Sequence, residues 1–306
     1  MMEKIKELIG KLRESPFDTN QNLDIYLNFY NLESNHIEHC YEFVECSGER
    51  IFVQTFSPLN PVAVTYVVHG YFDHAGSMNN LINYLTKRKH KVITYDLQGH
   101  GLSSGKRSMI TDFSEYVDVF KEIYERKKES NSLPAYVISH STGGAITMEY
   151  LFQYGSPFQK IILVSPLIRS YAWNLSKLGF TFISSVTNEL NRMFKNNSSN
   201  EEYLQFVKKD PLQHNKVPLD WFKSLIAWNE RIKEYLPLDE KLFVIQGNKD
   251  RTVDWKHNLS FIKGKFPECK VQIVRGGDHQ LFNENEELLL KTFEYMDEIL
   301  KGKKEL

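Results

Sequence analysis

Short apolar runs recur along this chain at Ala63–Val68, Lys91–Tyr95, Ala135–Ser139, Lys160–Ser165, Lys241–Gln246 and Lys270–Val274. They are rich in Val, Ile and Tyr and hardly alternate with polar residues, as strands buried on both faces do. Helix-forming sequence lies between and after them, around 77–88, 111–129, 143–154, 255–264 and 284–300. Strands alternating with helices predict an α/β fold with a mostly parallel, doubly wound sheet. Ahead of the alternation, Tyr41–Cys46 and Arg50–Phe56 flank Ser47-Gly48-Glu49, a leading antiparallel hairpin at one sheet edge. From Leu167 to about Glu230 the strand pattern stops. Tyr171, Trp173, Leu178, Phe180, Phe182, Ile183, Leu190 and Phe194 stand there in helical sequence, interrupted by the polar stretch Lys195–Glu202. That region reads as a helical cap inserted between two strands. Near the start, Ile5, Leu8, Ile9 and Leu12 share one face of a short helix over 3–14. A helix docked on the body is expected, because Glu3, Glu7 and Glu14 dilute the positive charge of a membrane anchor. The expected organisation is an N-terminal helix and extension over 1–40, a core over 41–166 and 231–306, and a cap over 167–230.

Composition narrows the class. In 306 residues, 41% are hydrophobic and 25% charged, which excludes a disordered chain, a collagen and a coiled coil. A formal net charge of -1 argues against a nucleic-acid partner. Cys40, Cys46 and Cys269 form no CxxC pair, so neither a zinc ribbon nor a disulfide framework is expected. His36, His39 and Cys40 lie close together without a second ligand cluster, which reads as a surface loop rather than a metal site. No apolar stretch approaches the roughly 20 residues that span a bilayer, and the N-terminus does not read as a secretory signal. The expected location is the cytoplasm, with peripheral contact at the inner membrane face as a further option. The basic run Lys87-Arg88-Lys89-His90-Lys91 reads as a solvated helix end, with anionic lipid headgroups as the alternative partner.

The chemistry centres on Ser139-His140-Ser141-Thr142-Gly143-Gly144, between a strand and a helix. A strand, a tight turn and a helix make a nucleophile elbow, which exposes one side chain above the sheet. Its neighbours two residues away must be small, which Gly143 and, less ideally, Ser139 satisfy. Taken alone, such a serine is more often part of an ordinary turn. A serine nucleophile needs a base, and the base needs an orienting carboxylate, in the chain order Ser, acid, His. Downstream, one strand ends in Gly247-Asn248-Lys249-Asp250-Arg251-Thr252-Val253-Asp254 and another in Arg275-Gly276-Gly277-Asp278-His279. Asp250 and Asp254 compete for the acid role, and His279 is the base candidate. Both loops lie past carboxyl ends of strands, where parallel sheets carry their sites. Upstream, His69-Gly70-Tyr71-Phe72-Asp73 follows another strand, and the Tyr71 and Thr142 N–H groups are the candidate oxyanion donors. Gly99-His100-Gly101-Leu102-Ser103-Ser104-Gly105 departs from dinucleotide-loop spacing and reads as a structural turn.

With these pieces in view the sequence resembles the α/β-hydrolase superfamily, and within it serine hydrolases of the monoglyceride lipase and bacterial lysophospholipase groups. The resemblance rests on Val68-His69-Gly70, Asp96-Leu97-Gln98-Gly99-His100-Gly101-Leu102-Ser103, Ser139–Gly144, Ser165-Pro166-Leu167, Lys209-Asp210-Pro211-Leu212, Gln246–Asp254 and Gly277-Asp278-His279, over roughly 40–300. It implies Ser141 as nucleophile, Asp250 as triad acid, His279 as base and an apolar acyl channel under the cap. The departures are Ser139 in place of Gly, and Tyr71-Phe72-Asp73 where small residues usually follow His-Gly. The expected activity is cleavage of small lipid esters, monoacylglycerol or lysophospholipid, through an acyl-enzyme, with no metal or cofactor. The alternatives are a general carboxylesterase, thioesterase or peptidase-like hydrolase on the same triad, or a non-catalytic ligand-binding module.

Overall fold

The computed structural model describes residues 5, 7, 9, 10, 20–128 and 133–302. Its strands are β1 (Ile37–Cys46), β2 (Glu49–Pro58), β3 (Ala63–Val68), β4 (His90–Tyr95), β5 (Ala135–His140), β6 (Lys160–Val164), the short β7 (Glu189–Asn191) and β8 (Lys216–Pro218), β9 (Leu242–Gly247) and β10 (Lys270–Val274). Eight of them form one sheet in the order β1-β2-β4-β3-β5-β6-β9-β10. The β1–β2 and β2–β4 pairs are antiparallel and all the others parallel. Every side chain of β3 is buried, because helices cover the sheet on both faces. The strand order reverses around β3, with β4 on one side and β5 on the other, so a crevice opens at their carboxyl ends.

The helices are α1 (Asn20–Phe29), α2 (Asn79–Lys87), α3 (Ser114–Lys127), α4 (Thr142–Tyr154), α5 (Trp173–Ile183), α6 (Glu201–Lys209), α7 (Leu219–Glu234), α8 (Trp255–Lys265) and α9 (Glu286–Lys301). One core joins the sheet to α3, α4, α7 and α8 through Phe120, Ile146, Trp228 and Ile262. The other joins it to α1, α2 and α9 through Tyr26, Leu81, Leu85 and Met296. Each such buried side chain contributes roughly 2 kcal/mol of transfer free energy.

Three expectations need correcting or completing. The first strand begins at Ile37 rather than Tyr41, inside the expected extension, because β2 continues to Pro58 and supplies partners for Ile37–Cys40. The region 167–230 is not purely helical: β7, with all its side chains exposed, pairs antiparallel with the half-buried β8, and strands of three residues are too short to show a repeating hydrophobic pattern. Of the helix expected over 3–14, Ile5 and Ile9 are helical and buried, while Leu8 and Leu12 lie outside the described residues. The basic run closes α2 with local partners: Lys87 pairs with Glu33 at 2.6 Å, and Arg88 pairs with Asp297 at 2.6 Å while lying over the Tyr84 ring. Among the described residues no helix is long and apolar enough to cross a membrane.

The inserted region is tied down at its far end. Trp221, Leu225, Trp228 and Ile232 of α7 enter the first core. The buried carboxylate of Glu149 in α4 accepts hydrogen bonds from Trp228 Nε1 and Tyr235 Oη, each at 3.0 Å. A buried carboxylate with such partners resists displacement, since stripping one away leaves a desolvated charge. By contrast α5 buries Trp173 and exposes Leu175, Leu178 and Phe182.

Candidate active site

Between β5 and α4 the chain turns through Ser141, whose φ of 51° and ψ of −113° are rare for a residue with a side chain. Such a conformation costs about 1–3 kcal/mol and persists only where packing enforces it. Here the packing is close: a Cβ on Gly143 would stand 2.3 Å from the Val68 carbonyl oxygen, so position 143 accepts only glycine. At the other small position, the Ser139 hydroxyl pairs with Thr147 Oγ1 of α4 at 2.6 Å, which accommodates serine where the pattern has glycine.

The loops after β9 and β10 bring two more groups to the serine. His279 Nε2 lies 3.0 Å from Ser141 Oγ, and His279 Nδ1 lies 2.8 Å from Asp250 Oδ2. A carboxylate only accepts, so Nδ1 carries the proton and Nε2 is free to accept the serine hydroxyl. Asp250 also accepts from Gln246 Nε2 (3.1 Å) and from the N–H groups of Thr252 (2.8 Å) and Val253 (3.1 Å). Burial works against its charge, but His279 and the Val253 and Thr252 N–H groups outweigh it and hold the carboxyl below the usual range. The competing Asp254 caps α8, accepting from His257 N–H at 3.3 Å.

The loop after β3 faces the same point. His69, neutral through burial, donates from Nδ1 to the Gly70 carbonyl (2.8 Å) and accepts from Leu97 N–H at Nε2 (2.9 Å). The 96–103 motif is scaffold for this loop. Asp96 accepts from the N–H groups of Ala75 (2.7 Å) and Leu102 (2.6 Å), and a Cβ on Gly101 would stand 2.0 Å from its Oδ2. Among the described residues, the N–H groups of Tyr71 and Thr142 have no hydrogen-bond acceptor. The Tyr71 ring is turned aside, stacked on Trp221 at 3.7 Å with its hydroxyl donating to the Ser108 carbonyl.

Two buried pairs escaped the sequence reading. His140, next to the serine, lies with Nε2 3.0 Å from the His279 carbonyl oxygen and Nδ1 3.3 Å from Asp73 Oδ2. Since the carbonyl can only accept, Nε2 must donate, and Nδ1 then faces a second acceptor. Burial disfavours the Asp73 charge, yet His140 more than offsets this and holds the carboxyl well below its ordinary value. The second pair joins His74 Nε2 to Asp210 Oδ2 at 2.8 Å, with Tyr30 Oη donating to Asp210 Oδ1 at 2.8 Å. It connects Tyr30, just past α1, with the loop after β3 and the region 167–230. The only sequence signals were Asp73 beside the His-Gly turn and Asp210 within Lys209-Asp210-Pro211-Leu212.

Ser141 and His279 open on a cavity of about 450 Å³ whose walls include Leu167, Leu190, Leu204, Val217, Trp221 and Leu225. The sequence cluster His36, His39 and Cys40 lies elsewhere, with His39 Nε2 paired to Gln54 Oε1. Among the described residues no group of three or more His, Cys, Asp or Glu could hold a metal ion.

The chain is 27% identical over 276 residues to the monoacylglycerol lipase of Mycolicibacterium smegmatis, covering 85% of this chain and 95% of that protein. It is 27% identical over 242 residues to phospholipase YtpA of Bacillus subtilis, covering 76% and 93%. A soluble variant of monoglyceride lipase from Saccharomyces cerevisiae, solved with a substrate analog, superposes with a TM-score of 0.77 at 17% identity, covering 89% of this chain and 97% of that one. At that identity the likeness shows the α/β-hydrolase fold. The family model described as serine aminopeptidase, S33, matches residues 60–286, and the chain belongs to that family of α/β-hydrolases.

Proposed function

We propose that this chain is a serine esterase that hydrolyses the carboxylic ester of single-acyl lipids, monoacylglycerols or lysophospholipids, through an acyl-enzyme. The observation that carries the reading is the unbroken line of hydrogen bonds Ser141–His279–Asp250 opening on a cavity with many apolar walls. The lipase and phospholipase names of the relatives point the same way.

In this reading Ser141 Oγ attacks the ester carbonyl and passes its proton to His279 Nε2. Asp250 holds the imidazole in the required tautomer and stabilises the imidazolium. The Tyr71 and Thr142 N–H groups receive the oxyanion, and the N-terminus of α4 adds its positive dipole end. His279 then protonates the departing glycerol or glycerophospho oxygen, and water repeats the cycle on the acyl-enzyme. The region 167–230 acts as the cap. Its exposed Leu175 (71%), Phe182 (68%), Val186 (85%) and Met193 (81%) suit peripheral contact with a lipid surface at the inner membrane face.

The family's aminopeptidase description raises the rival reading. An aminopeptidase must hold a substrate ammonium, which calls for an unmatched carboxylate. The one carboxylate lining this cavity, Asp73, is already engaged by His140 and Gln280, and the other charged side chains of the lining are Arg192, Lys195 and Lys208. That charge balance favours an ester over a free amino terminus.

The test combines fluorophosphonate labelling with a hydrolysis panel of monoacylglycerols, lysophospholipids, short nitrophenyl esters and aminoacyl amides. Labelling of Ser141 with turnover of the single-acyl lipids is expected. An unlabelled serine would leave a ligand-binding module, and amides as best substrates would restore the peptidase reading.

A further inference from the structure

The cavity that holds Ser141 and His279 carries an uneven charge. Its lining has three cations, Arg192, Lys195 and Lys208, against the single carboxylate of Asp73. Asp73 faces His140 Nδ1 at 3.3 Å and accepts from Gln280 Nε2 at 3.3 Å, so its carboxylate is already engaged. Among the described residues none of the three cations forms an ion pair. Arg192 is the one fixed in place. It follows β7, and its guanidinium lies over the Phe72 ring at 4.1 Å and the Phe194 ring at 4.5 Å. Nη1 donates to Gln213 Oε1 (2.5 Å) and to the His214 carbonyl (3.3 Å). Nε and Nη2 have no acceptor among the described residues. A guanidinium carries five N–H donors in a rigid fork. Here it is half-buried, and burial pushes its pKa down despite the nearby Asp73. An arginine serving only to staple the cap to Phe72 would gain nothing from unspent donors in a partly desolvated cavity wall. A phosphate satisfies them bidentately.

We propose that Arg192, backed by the exposed Lys195 and Lys208, binds a phosphate headgroup, so that the preferred substrates are lysophospholipids rather than neutral monoacylglycerols. This rests on the ester-hydrolase reading above and names the substrate class of that same site. In a lysophospholipid one glycerol unit separates the ester carbonyl from the phosphate, so one cavity receives both the reacting bond at Ser141 and the charge at Arg192. The product leaves as a glycerophospho group, which His279 protonates at the former ester oxygen.

The test compares oleoyl lysophosphatidylglycerol with monooleoylglycerol in micelles of one neutral detergent. The intact protein should favour the phosphate-bearing ester in kcat/KM, and Arg192→Gln should reduce that preference roughly ten- to a hundredfold, mainly through KM, as the loss of charge-assisted hydrogen bonds predicts. Arg192→Lys should keep part of the preference. Lys208→Gln, which leaves the Phe72 staple intact, should lower it in the same direction by about twofold. Parallel losses on both substrates would reduce Arg192 to a staple and overturn the proposal, as would an intact protein that prefers monooleoylglycerol. Cleavage of neither lipid with Ser141 unlabelled would instead refute the ester reading and this proposal with it.

Discussion

Replacing Asp250 by Asn tests the proposed chemistry most directly. The carboxylate accepts four hydrogen bonds: Oδ1 from the Thr252 and Val253 N–H groups, and Oδ2 from Gln246 Nε2 and His279 Nδ1. An Asn that keeps the two backbone bonds turns its NH₂ toward His279 and Gln246, donor against donor. The imidazole escapes the conflict by moving its proton from Nδ1 to Nε2. That nitrogen then donates to Ser141 Oγ and can no longer take its proton. Locking the wrong tautomer costs about 10⁴-fold in kcat, or about 5 kcal/mol of barrier. Folding loses less, roughly 2 kcal/mol for the exchanged hydrogen bonds, so the variant remains folded and KM changes little. Asp254→Asn is the matched control: Asn caps helices as well as Asp does, so both stability and turnover should stay close to those of the intact protein. The assay is steady-state hydrolysis of a medium-chain nitrophenyl ester alongside thermal unfolding by circular dichroism. Asp250→Asn keeping more than about a tenth of kcat with a native unfolding curve would refute the reasoning, and greater damage from Asp254→Asn would move the acid to that residue.

Gly143→Ala places a Cβ 2.3 Å from the Val68 carbonyl oxygen, so the elbow must open; fluorophosphonate labelling should fall at least about a hundredfold, and normal labelling would show the turn to be more yielding than it looks. Along an acyl series, each buried methylene offers about 0.8 kcal/mol, so kcat/KM should climb from acetyl to medium or long chains; a maximum at acetyl would favour a general carboxylesterase. The His74–Asp210 pair sets a pH dependence of stability. Burial opposes the His74 charge, but the Asp210 carboxylate outweighs it and raises the pKa above 6.5, so this contribution is complete below pH 6.5 and fades as pH rises through the folded value. Burial likewise opposes the Asp210 charge, but His74 and the Tyr30 and Leu212 donors lower its pKa below 3.8, so that contribution is present above pH 3.8 and fades as pH falls through the folded value. The Tm difference between the intact protein and Asp210→Asn should therefore be widest in mildly acidic buffer and narrow toward alkaline pH; a constant difference would refute the charged pair.

What the sequence made legible was local. The buried runs that became β3, β4, β5, β6, β9 and β10 carry their own hydrophobic signature, and the serine, the acid loop and the histidine each lie just past a strand end. Structure was needed wherever meaning depended on a distant partner. Tyr71 stands where small residues usually follow His-Gly, but Trp221, 150 positions along the chain, holds its ring by stacking. The role of Asp210 depends on His74 and Tyr30, far upstream. β7 and β8 were invisible because a strand of three residues is too short to show a repeating face, and β7 buries none. Nothing in the sequence marks Arg192, and only its place over two aromatic rings on the cavity wall sets it apart.

In the proposed mechanism the buried charges around the site have a common physical role. An oxyanion hole works only if its donors are aimed before the reaction begins, because reorientation during the barrier crossing would consume the stabilisation it provides. Apolar packing is non-directional and leaves a loop free to rock. Charged hydrogen bonds fix direction as well as distance. The Tyr71 N–H belongs to a loop anchored at one end by His69 on the Leu97 N–H and at the other by Asp96 on the Ala75 N–H. Two further buried carboxylates, Asp73 and Asp210, brace its interior through His140 and His74. Each carboxylate is costly to desolvate, and losing one partner from such a pair costs about 3–5 kcal/mol, so these contacts hold together or fail together. Fold stability alone would be served as well by leucines in those places. The arrangement becomes intelligible once the Tyr71 donor has to be held still beside a strained serine.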